Sequence, residues 1–256
     1  MPTSHSLAGR IALVTGGASG LGRGAAEAAA ASGAHVVVAD IDEAGGRAVA
    51  GALAGSFVAL DVADEAAWLE LETVVKREHG GLDVAVLAAG IAGPLFTGLS
   101  QMALSAWRKL MAVNLDGTML GIRTAFHLME GRSGSIITVA SVAGVRAHES
   151  IGAYATSKAG VCHLTRVAAL EGAQMKPAVR VNCIMPGPME TPLLDWLRHA
   201  APLGPERTQE LMVASIPLGR IGRPDDFGAL ACFLASDASS FITGVELPLD
   251  GGQSAR

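Results

Sequence analysis

Short runs of β-branched and aliphatic residues alternate with longer, alanine-rich stretches of helical periodicity along almost the whole chain. Parallel strands need crossover connections of roughly a dozen residues or more, usually helices, so this alternation favours a parallel sheet covered by helices on both faces. We therefore predict an α/β fold built on one doubly wound sheet. No linker or break in composition divides the 256 residues, and we expect a single domain over residues 1–256.

The pattern predicts seven strands and six helices. The predicted strands are Ile11–Val14, His35–Ala39, Phe57–Leu60, Val84–Ala88, Ser135–Val139, Val179–Met185 and Ile242–Leu249. The predicted helices are Leu21–Ala31, Glu43–Leu53, Glu65–Glu78, Leu104–Met129, Ala153–Met175 and Pro224–Leu234. The proline-rich stretch from Pro186 to about Ile221 is expected to be irregular, and a substrate-binding lid is expected at about 187–221.

Composition excludes several classes of function. The net charge is −5 without a basic run, and aromatic residues make up 4%, so binding of nucleic acid is not expected. Cys162, Cys183 and Cys232 lie far apart without metal-ligand spacing, which predicts reduced thiols, no metal site and a cytoplasmic protein. The N-terminus has no leader pattern and the apolar runs are strand-sized, so no membrane association is expected.

A loop of sequence TGGASGLG, residues 15–22, joins the first predicted strand to the first predicted helix. Glycines let the backbone turn sharply and approach a ligand closely. The start of the next helix offers free N–H groups and positive potential to a pyrophosphate. The loop is therefore predicted to bind a dinucleotide through Gly16, Ser19, Gly20, Leu21 and Gly22.

Acidic residues follow the second and third predicted strands. Asp40 stands where a carboxylate accepts hydrogen bonds from the adenosine ribose and repels the 2′-phosphate of NADP. Neither Ser19 nor Ile41 brings a positive charge, so NAD is the expected cofactor. Asp61, with Val62 beside it, either faces the adenine amine or starts a turn.

The only tyrosine, Tyr154, lies four residues before Lys158 in a stretch predicted to be helical. The two side chains then share a helix face. At about 4–5 Å an ammonium stabilises a phenolate by roughly 3–4 kcal/mol, which lowers the pKa of the tyrosine toward the range useful for proton transfer. An ordinary tyrosine–lysine pair on a helix surface has the same spacing, so only the rest of the sequence can indicate whether this pair is catalytic.

Together these features resemble the short-chain dehydrogenase/reductase family, in its short single-domain branch, from about Gly9 to Gly252. The spacing Gly-x-x-x-Gly-x-Gly is that family's form of the loop. Ser141 lies thirteen residues before Tyr154, and Asn114 and the terminal sequence LDGG at 249–252 also match the family.

The resemblance implies a Rossmann-like fold and reversible hydride transfer between NAD(H) and a secondary alcohol or ketone. It implies that Tyr154 exchanges the hydroxyl proton, that Lys158 lowers the pKa of Tyr154 and binds the nicotinamide ribose, and that Ser141 holds the substrate oxygen. The backbone carbonyl of Asn114 would hold a water linked to Lys158. The remaining cofactor contacts implied by the family's motifs are Gly90, Pro186, Gly187 and Thr191.

One motif departs from the family. The fourth strand usually ends Asn-Asn-Ala-Gly there, whereas residues 87–90 here read LAAG, without the asparagine that braces the sheet. The substrate pocket is expected to be apolar and to suit a cyclic alcohol. Polar groups near its rim leave polyols and hydroxy acids as alternative substrates. Its expected residues are Phe96, Arg146, His148, Met189, Leu193, Leu194 and Trp196.

Three other functions share this pattern. A 3-ketoacyl-carrier-protein reductase and a polyol dehydrogenase have the same catalytic residues, and a non-catalytic NAD-binding regulatory protein has the same fold. Members of the family usually form tetramers. Apolar residues on more than one face of the helices at 104–129 and 153–175 agree with a homotetramer.

Overall fold

The computed structural model describes residues 5–147 and 149–255. Its strands are β1 (Ile11–Thr15), β2 (His35–Asp40), β3 (Ser56–Ala59), β4 (Val84–Leu87), β5 (Gly134–Val139), β6 (Val179–Pro186) and β7 (Glu246–Leu249). Its helices are α1 (Gly20–Ala31), α2 (Glu43–Ala52), α3 (Glu65–His79), α4 (Leu104–Met111), α5 (Gly117–Leu128), α6 (Gly152–Gly172), α7 (Pro192–Ala200), α8 (Pro205–Ser215) and α9 (Pro224–Ala235).

The seven strands form one parallel sheet in the order β3-β2-β1-β4-β5-β6-β7. The predicted doubly wound α/β fold is therefore confirmed. Strand order reverses at β1, which pairs with β2 on one side and β4 on the other. In open α/β sheets this switch point opens a crevice at the carboxyl ends of the strands, where ligands bind.

The sheet is buried on both faces because its strands are rich in valine and isoleucine with no polar face. Helices α1, α2 and α9 pack on one face, against residues such as Val14, Val38 and Ile184. Helices α3, α5 and α6 pack on the other, against residues such as Leu13 and Val181. Both cores lie behind the crevice and hold the strand ends in place.

The stretch from Pro186 to about Ile221 was predicted to be irregular, and this prediction is wrong. It contains helices α7 and α8, each of which begins at a proline, Pro192 and Pro205. Proline is favoured in the first helical turn, where its missing N–H would have no partner in any case. The segment expected to form a lid therefore consists mainly of two helices.

Two other predicted elements differ. The helix predicted over 104–129 is interrupted by a π-helical turn, Ala112–Asp116, between α4 and α5. The last strand is shorter than predicted, because residues 242–245 are irregular, with a bend at Gly244, before β7 begins. None of the helices in the described part of the chain is both long and apolar enough to cross a bilayer.

Candidate active site

The glycine loop has the shape that a close-lying dinucleotide requires. Gly16 has φ of +67°, and a Cβ atom there would lie 2.9 Å from the Ala89 Cα atom. At Gly22 a Cβ atom would overlap the carbonyl oxygen of Gly16. Ser19 caps α1 without a side-chain hydrogen bond, and the first turn of α1 has no acidic residue. The hydroxyl and the helix N-terminus are thus available to a phosphate, and these residues fit a nicotinamide dinucleotide.

Asp40 ends β2 beside this loop. Its Oδ2 atom accepts a hydrogen bond from the Ala18 N–H at 2.9 Å, and its Oδ1 atom accepts one from the Asp42 N–H at 2.9 Å. A carboxylate has about four acceptor positions, so it can still bind the two hydroxyls of a ribose. Asp40 therefore fixes the loop and keeps a negative charge next to it.

Ser141 lies two residues after the end of β5, where the chain turns at the carboxyl edge of the sheet. Its hydroxyl donates to the carbonyl oxygen of Pro186 at 3.4 Å and accepts from the Ala143 N–H at 3.2 Å. The hydroxyl also lies near enough to the phenol of Tyr154 to lower the pKa of that phenol. These contacts hold Ser141 between β6 and α6.

Tyr154 and Lys158 lie one turn apart near the start of α6. The Nζ atom of Lys158 is 5.8 Å from the centre of the Tyr154 ring and donates to the carbonyl oxygen of Val139 at 2.9 Å. The amine is buried, with 5% of the residue exposed. Lys158 is therefore anchored to the end of β5, close to Ser141.

The pKa values of this pair differ from the sequence-based expectation, which was that Lys158 lowers the pKa of Tyr154. Burial of the ring raises the pKa of Tyr154 above 10.0, and the hydrogen bond from Ser141 opposes this only in part. Burial also lowers the pKa of Lys158 from 10.5 to about 8, against the effect of the nearby Cys183 and Cys162. Desolvation thus outweighs the attraction between the two groups in the free protein.

Asn114 lies in the π-helical turn, fully buried. Its Oδ1 atom accepts from the Ile91 N–H at 2.9 Å, and its Nδ2 atom donates to the Ile91 carbonyl at 2.9 Å and to the Ser157 hydroxyl at 3.1 Å. Its backbone carbonyl, the group expected to hold a water, accepts a hydrogen bond from Thr118 at 2.8 Å. Asn114 ties α5, the loop after β4 and α6 together, and π-helical turns often occur at functional sites.

Gly90 lies between these groups. A Cβ atom there would be 3.3 Å from Asn114 Oδ1 and 3.4 Å from Lys158 Nζ. The absence of a side chain at Gly90 therefore keeps the space beside the lysine open.

A cavity of about 650 Å³ lies at this edge of the sheet, between the glycine loop and the lid. Its lining is mostly apolar, and Lys158 is the only charged residue that lines it in the described part of the chain. The predicted site residues that line it are Leu21, Gly90, Phe96, Ser141, Tyr154, Lys158, Pro186, Gly187, Met189, Thr191, Leu193 and Leu194. Pocket volumes of this size suit small organic ligands.

Other predicted residues lie elsewhere. The Arg146 guanidinium donates to the backbone carbonyl of Gln253 at 2.5 Å and does not line the cavity. Trp196 is also outside the lining, with 49% of its surface exposed. His148 lies outside the described residues. Arg146 follows the turn after Ser141 and Trp196 lies within α7, but neither residue lines the cavity.

Asp61 and Val62 lie in the turn after β3, outside the cavity lining. The Asp61 Oδ1 atom accepts from the Ala63 N–H at 2.9 Å, as in a turn, and the side chain remains exposed. The Val62 carbonyl accepts from the Trp68 indole at 2.9 Å. Asp61 therefore starts a turn, and its exposed side chain can still face an adenine amine.

Residues 87–90 lack the asparagines that the family usually has at the end of β4, and apolar packing is found there instead. Leu87 is buried, with 3% exposed, in the apolar cluster that contains Trp68. A Cβ atom at Gly121 would touch both of these side chains, so α5 packs closely on this strand end. Apolar contact here holds β4 where a polar brace was expected.

Gln253 lines the cavity, although no motif or pattern in the sequence predicted this. It follows the matching LDGG sequence in a short 3₁₀ turn, Gln253–Ala255. A single polar residue near a chain end has no periodicity or motif that predicts where its side chain lies.

Comparison with known proteins agrees with this site. A family model described as enoyl-(acyl carrier protein) reductase matches residues 16–254. The chain is 37% identical over 257 residues to 2,5-dichloro-2,5-cyclohexadiene-1,4-diol dehydrogenase from Sphingobium indicum, with 98% of each chain covered. It is 36% identical over 256 residues to the NADP-dependent (R)-specific alcohol dehydrogenase of Lentilactobacillus kefiri, again with 98% of each covered.

A solved structure agrees as well. The short-chain type dehydrogenase/reductase from Mycobacterium marinum matches with a TM-score of 0.90 and 33% identity, covering 99% of this chain and 98% of the other. The chain belongs to the short-chain dehydrogenase/reductase family. It is an oxidoreductase that acts on CH–OH groups, and its cofactor is a nicotinamide dinucleotide.

Proposed function

We propose that this protein is an NAD-dependent dehydrogenase that interconverts an uncharged secondary alcohol, in particular a cyclic one, and its ketone. The observation that carries the proposal is the convergence of Ser141, Tyr154 and Lys158 on one apolar cavity. The first relatives act on a cyclohexadiene diol and on (R)-alcohols, as their names state, which supports the same substrate class.

In this proposal the proton moves between the substrate and Tyr154. Ser141 donates a hydrogen bond to the substrate oxygen and stabilises the charge that develops on it. Tyr154 as phenolate accepts the hydroxyl proton, or as phenol returns it in the reverse reaction. A nicotinamide dinucleotide bound at the glycine loop would supply the acceptor for the hydride of the carbinol carbon and, in its oxidised form, a positive charge in the site.

Lys158 and Asn114 are positioning residues in this scheme. Lys158 keeps a positive charge next to Tyr154 and Ser141, because an amine with a pKa of about 8 is mostly protonated at pH 7. Asn114 holds Ser157, which donates to the carbonyl oxygen of Tyr154 at 2.8 Å. The tyrosine is thereby fixed at the start of α6.

The choice of NAD over NADP rests on Asp40. Its carboxylate lies at the glycine loop, where a 2′-phosphate would meet a negative charge at short range. Arg47, on the neighbouring helix α2, pairs with Glu43 at 3.0 Å and stacks on Phe57, so it is already engaged.

We also propose a homotetramer in the cytoplasm. Support for assembly comes from apolar side chains left exposed on the helices that such a tetramer would pair, Leu104, Met119, Val167 and Leu170, and from Phe241 close to β7. Cys162, Cys183 and Cys232 are free and buried thiols, which suits a reducing compartment.

Titration of the only tyrosine tests the base directly. We expect the ultraviolet absorbance of phenolate to appear above pH 10 in the free protein, because burial raises the pKa of Tyr154. Oxidised NAD should move the midpoint to lower pH. Tyr154→Phe should lose turnover by at least about a thousandfold and keep its affinity for NAD within a small factor. A midpoint that NAD leaves unchanged would contradict the proposed base.

A further inference from the structure

Gln253 joins three parts of the site. Its Nε2 atom donates to the hydroxyl of Ser215, at the end of lid helix α8, at 2.9 Å. Its backbone carbonyl accepts from Arg146, on the loop that follows Ser141. The turn that holds it is fixed by Asp250, whose carboxylate accepts from the backbone N–H groups at 252 and 254, at 2.9 and 2.7 Å. The side chain is therefore held in place at the cavity wall.

The other end of the same amide has no partner among the described residues. The Oε1 atom of Gln253 is buried and accepts no hydrogen bond from the described residues. The assignment of oxygen and nitrogen is fixed by Ser215, because its hydroxyl proton is already donated to the Met212 carbonyl at 2.7 Å, so that it can only accept from Gln253. A buried carbonyl without a donor is costly, and in native proteins such a group nearly always receives a hydrogen bond from protein, from an ordered water or from a ligand.

This acceptor lies beside Gly187, one residue from the Pro186 carbonyl that Ser141 contacts. A Cβ atom at Gly187 would be 3.2 Å from Gln253 Oε1, so the missing side chain of Gly187 makes room for it. Gly187 follows Pro186, whose carbonyl oxygen is 3.4 Å from the Ser141 hydroxyl. Gln253 and Gly187 both line the cavity, so this acceptor lies in the cavity wall.

The charges around the cavity restrict the ligand that can complete this acceptor. Lys158 is the only charged lining residue in the described part of the chain, and its amine is held by Val139. Among the described lining residues a carboxylate ligand would find only the Lys158 ammonium, which lies beside the reacting groups, and neither a carboxylate nor a carbonyl can donate a hydrogen bond to Oε1. A hydroxyl group on an otherwise apolar ring supplies the donor that Oε1 requires and satisfies the apolar walls.

We propose that Gln253 is a specificity-determining residue, whose Oε1 atom accepts a hydrogen bond from a second hydroxyl of the substrate. The substrate is then an uncharged ring diol rather than a simple alcohol. One hydroxyl reacts at Ser141 and Tyr154, and the other binds to Gln253. This inference rests on the proposed dehydrogenase function and names its substrate class.

The test compares cyclohexanol with the isomers of cyclohexanediol, using NAD and the full-length protein. A diol has two hydroxyls that can react, so its kcat/KM is divided by two before the comparison. At least one cyclohexanediol isomer should then exceed cyclohexanol in kcat/KM by about tenfold. Gln253→Met keeps the length and removes the acceptor, so it should reduce this preference to near one. Ser215→Ala is the matched control, because it removes the same Gln253–Ser215 hydrogen bond and leaves Oε1 in place; it should retain the preference.

The outcomes separate the possible roles of Gln253. An equal loss of the preference for diols in Gln253→Met and Ser215→Ala would show that Gln253 only connects α8 to the rest of the domain. This result would overturn the inference. The carboxamide of the nicotinamide is another possible donor. In that case Gln253→Met would lower kcat/KM equally for cyclohexanol and diols with NAD, but not with 3-acetylpyridine adenine dinucleotide, which lacks the amide N–H groups; this result would also overturn it.

Failure of the underlying function has a different signature. If the unmodified protein oxidises neither cyclohexanol nor any cyclohexanediol with NAD or NADP, the proposed function itself fails and the inference fails with it. If cyclohexanol and the diols are oxidised with equal efficiency, the dehydrogenase function stands and the role of Gln253 is wrong.

Discussion

Lys158 is predicted to reduce the stability of the fold, and its replacement by methionine should make the protein more stable. The buried amine remains protonated at pH 7 with its pKa lowered from 10.5 to about 8. At about 1.4 kcal/mol for each pH unit, keeping the charge in the folded state costs about 3 kcal/mol. Lys158→Met removes this cost and also loses the hydrogen bond to Val139, worth about 1–2 kcal/mol. The variant should therefore gain about 1–2 kcal/mol at pH 7.

The pH dependence of this gain distinguishes the charge from mere packing. Because the folded pKa is below the unfolded one, the unfolded protein binds more protons between about pH 8 and 10.5, and the unmodified protein gains stability as the pH rises through this window. The advantage of Lys158→Met over the unmodified protein should shrink by about 2 kcal/mol between pH 7 and 9.5.

Urea denaturation at pH 7 and pH 9.5, followed by tryptophan fluorescence or circular dichroism, measures the stability gain of Lys158→Met and its decrease with pH. The control is Lys176→Met, since Lys176 is exposed and its charge stays in water in both states. Lys158→Met should also lose nearly all turnover, because the positive charge beside Tyr154 is gone. A stability difference that is the same at both pH values would refute the reasoning, since it would show that desolvation of the charge is not its cause.

Two further predictions concern the cofactor and the assembly. Asp40→Asn keeps an acceptor for the Ala18 N–H but removes the negative charge, so the ratio of kcat/KM for NADP to that for NAD should rise about tenfold. A ratio already above one in the unmodified protein would contradict the NAD assignment. Light scattering at micromolar concentration should give about four times the 26.0 kDa of one chain, while a single-chain mass would exclude the homotetramer and a dimer would retain only one interface.

Much of the architecture follows from the sequence, because it depends on local patterns. Central strands rich in valine and isoleucine are buried on both faces, and helices between the strands make the sheet parallel. Parallel strands end at one edge, so the loop at 15–22 and Ser141 were expected on the same side of the sheet, and both lie there. The four-residue spacing of Tyr154 and Lys158 likewise depends only on the geometry of α6.

The tertiary structure decided the properties that depend on burial and on contacts between distant segments. The spacing of Tyr154 and Lys158 suggested attraction between them, but surrounding protein removes water from both and shifts both pKa values the other way. Pro192 and Pro205 carried the same helix-start signal that was recognised at Pro224, yet only the packed lid shows that α7 and α8 form.

Gln253 shows the same limit most clearly. Its partners, Arg146 and Ser215, are 107 and 38 residues away, and no local pattern relates them. The sequence determined the class of fold and the residues that its motifs contain. The wall of the cavity, and the unpaired acceptor within it, depend on how the chain end packs against the lid, because side chains distant in sequence meet only when the whole domain has folded.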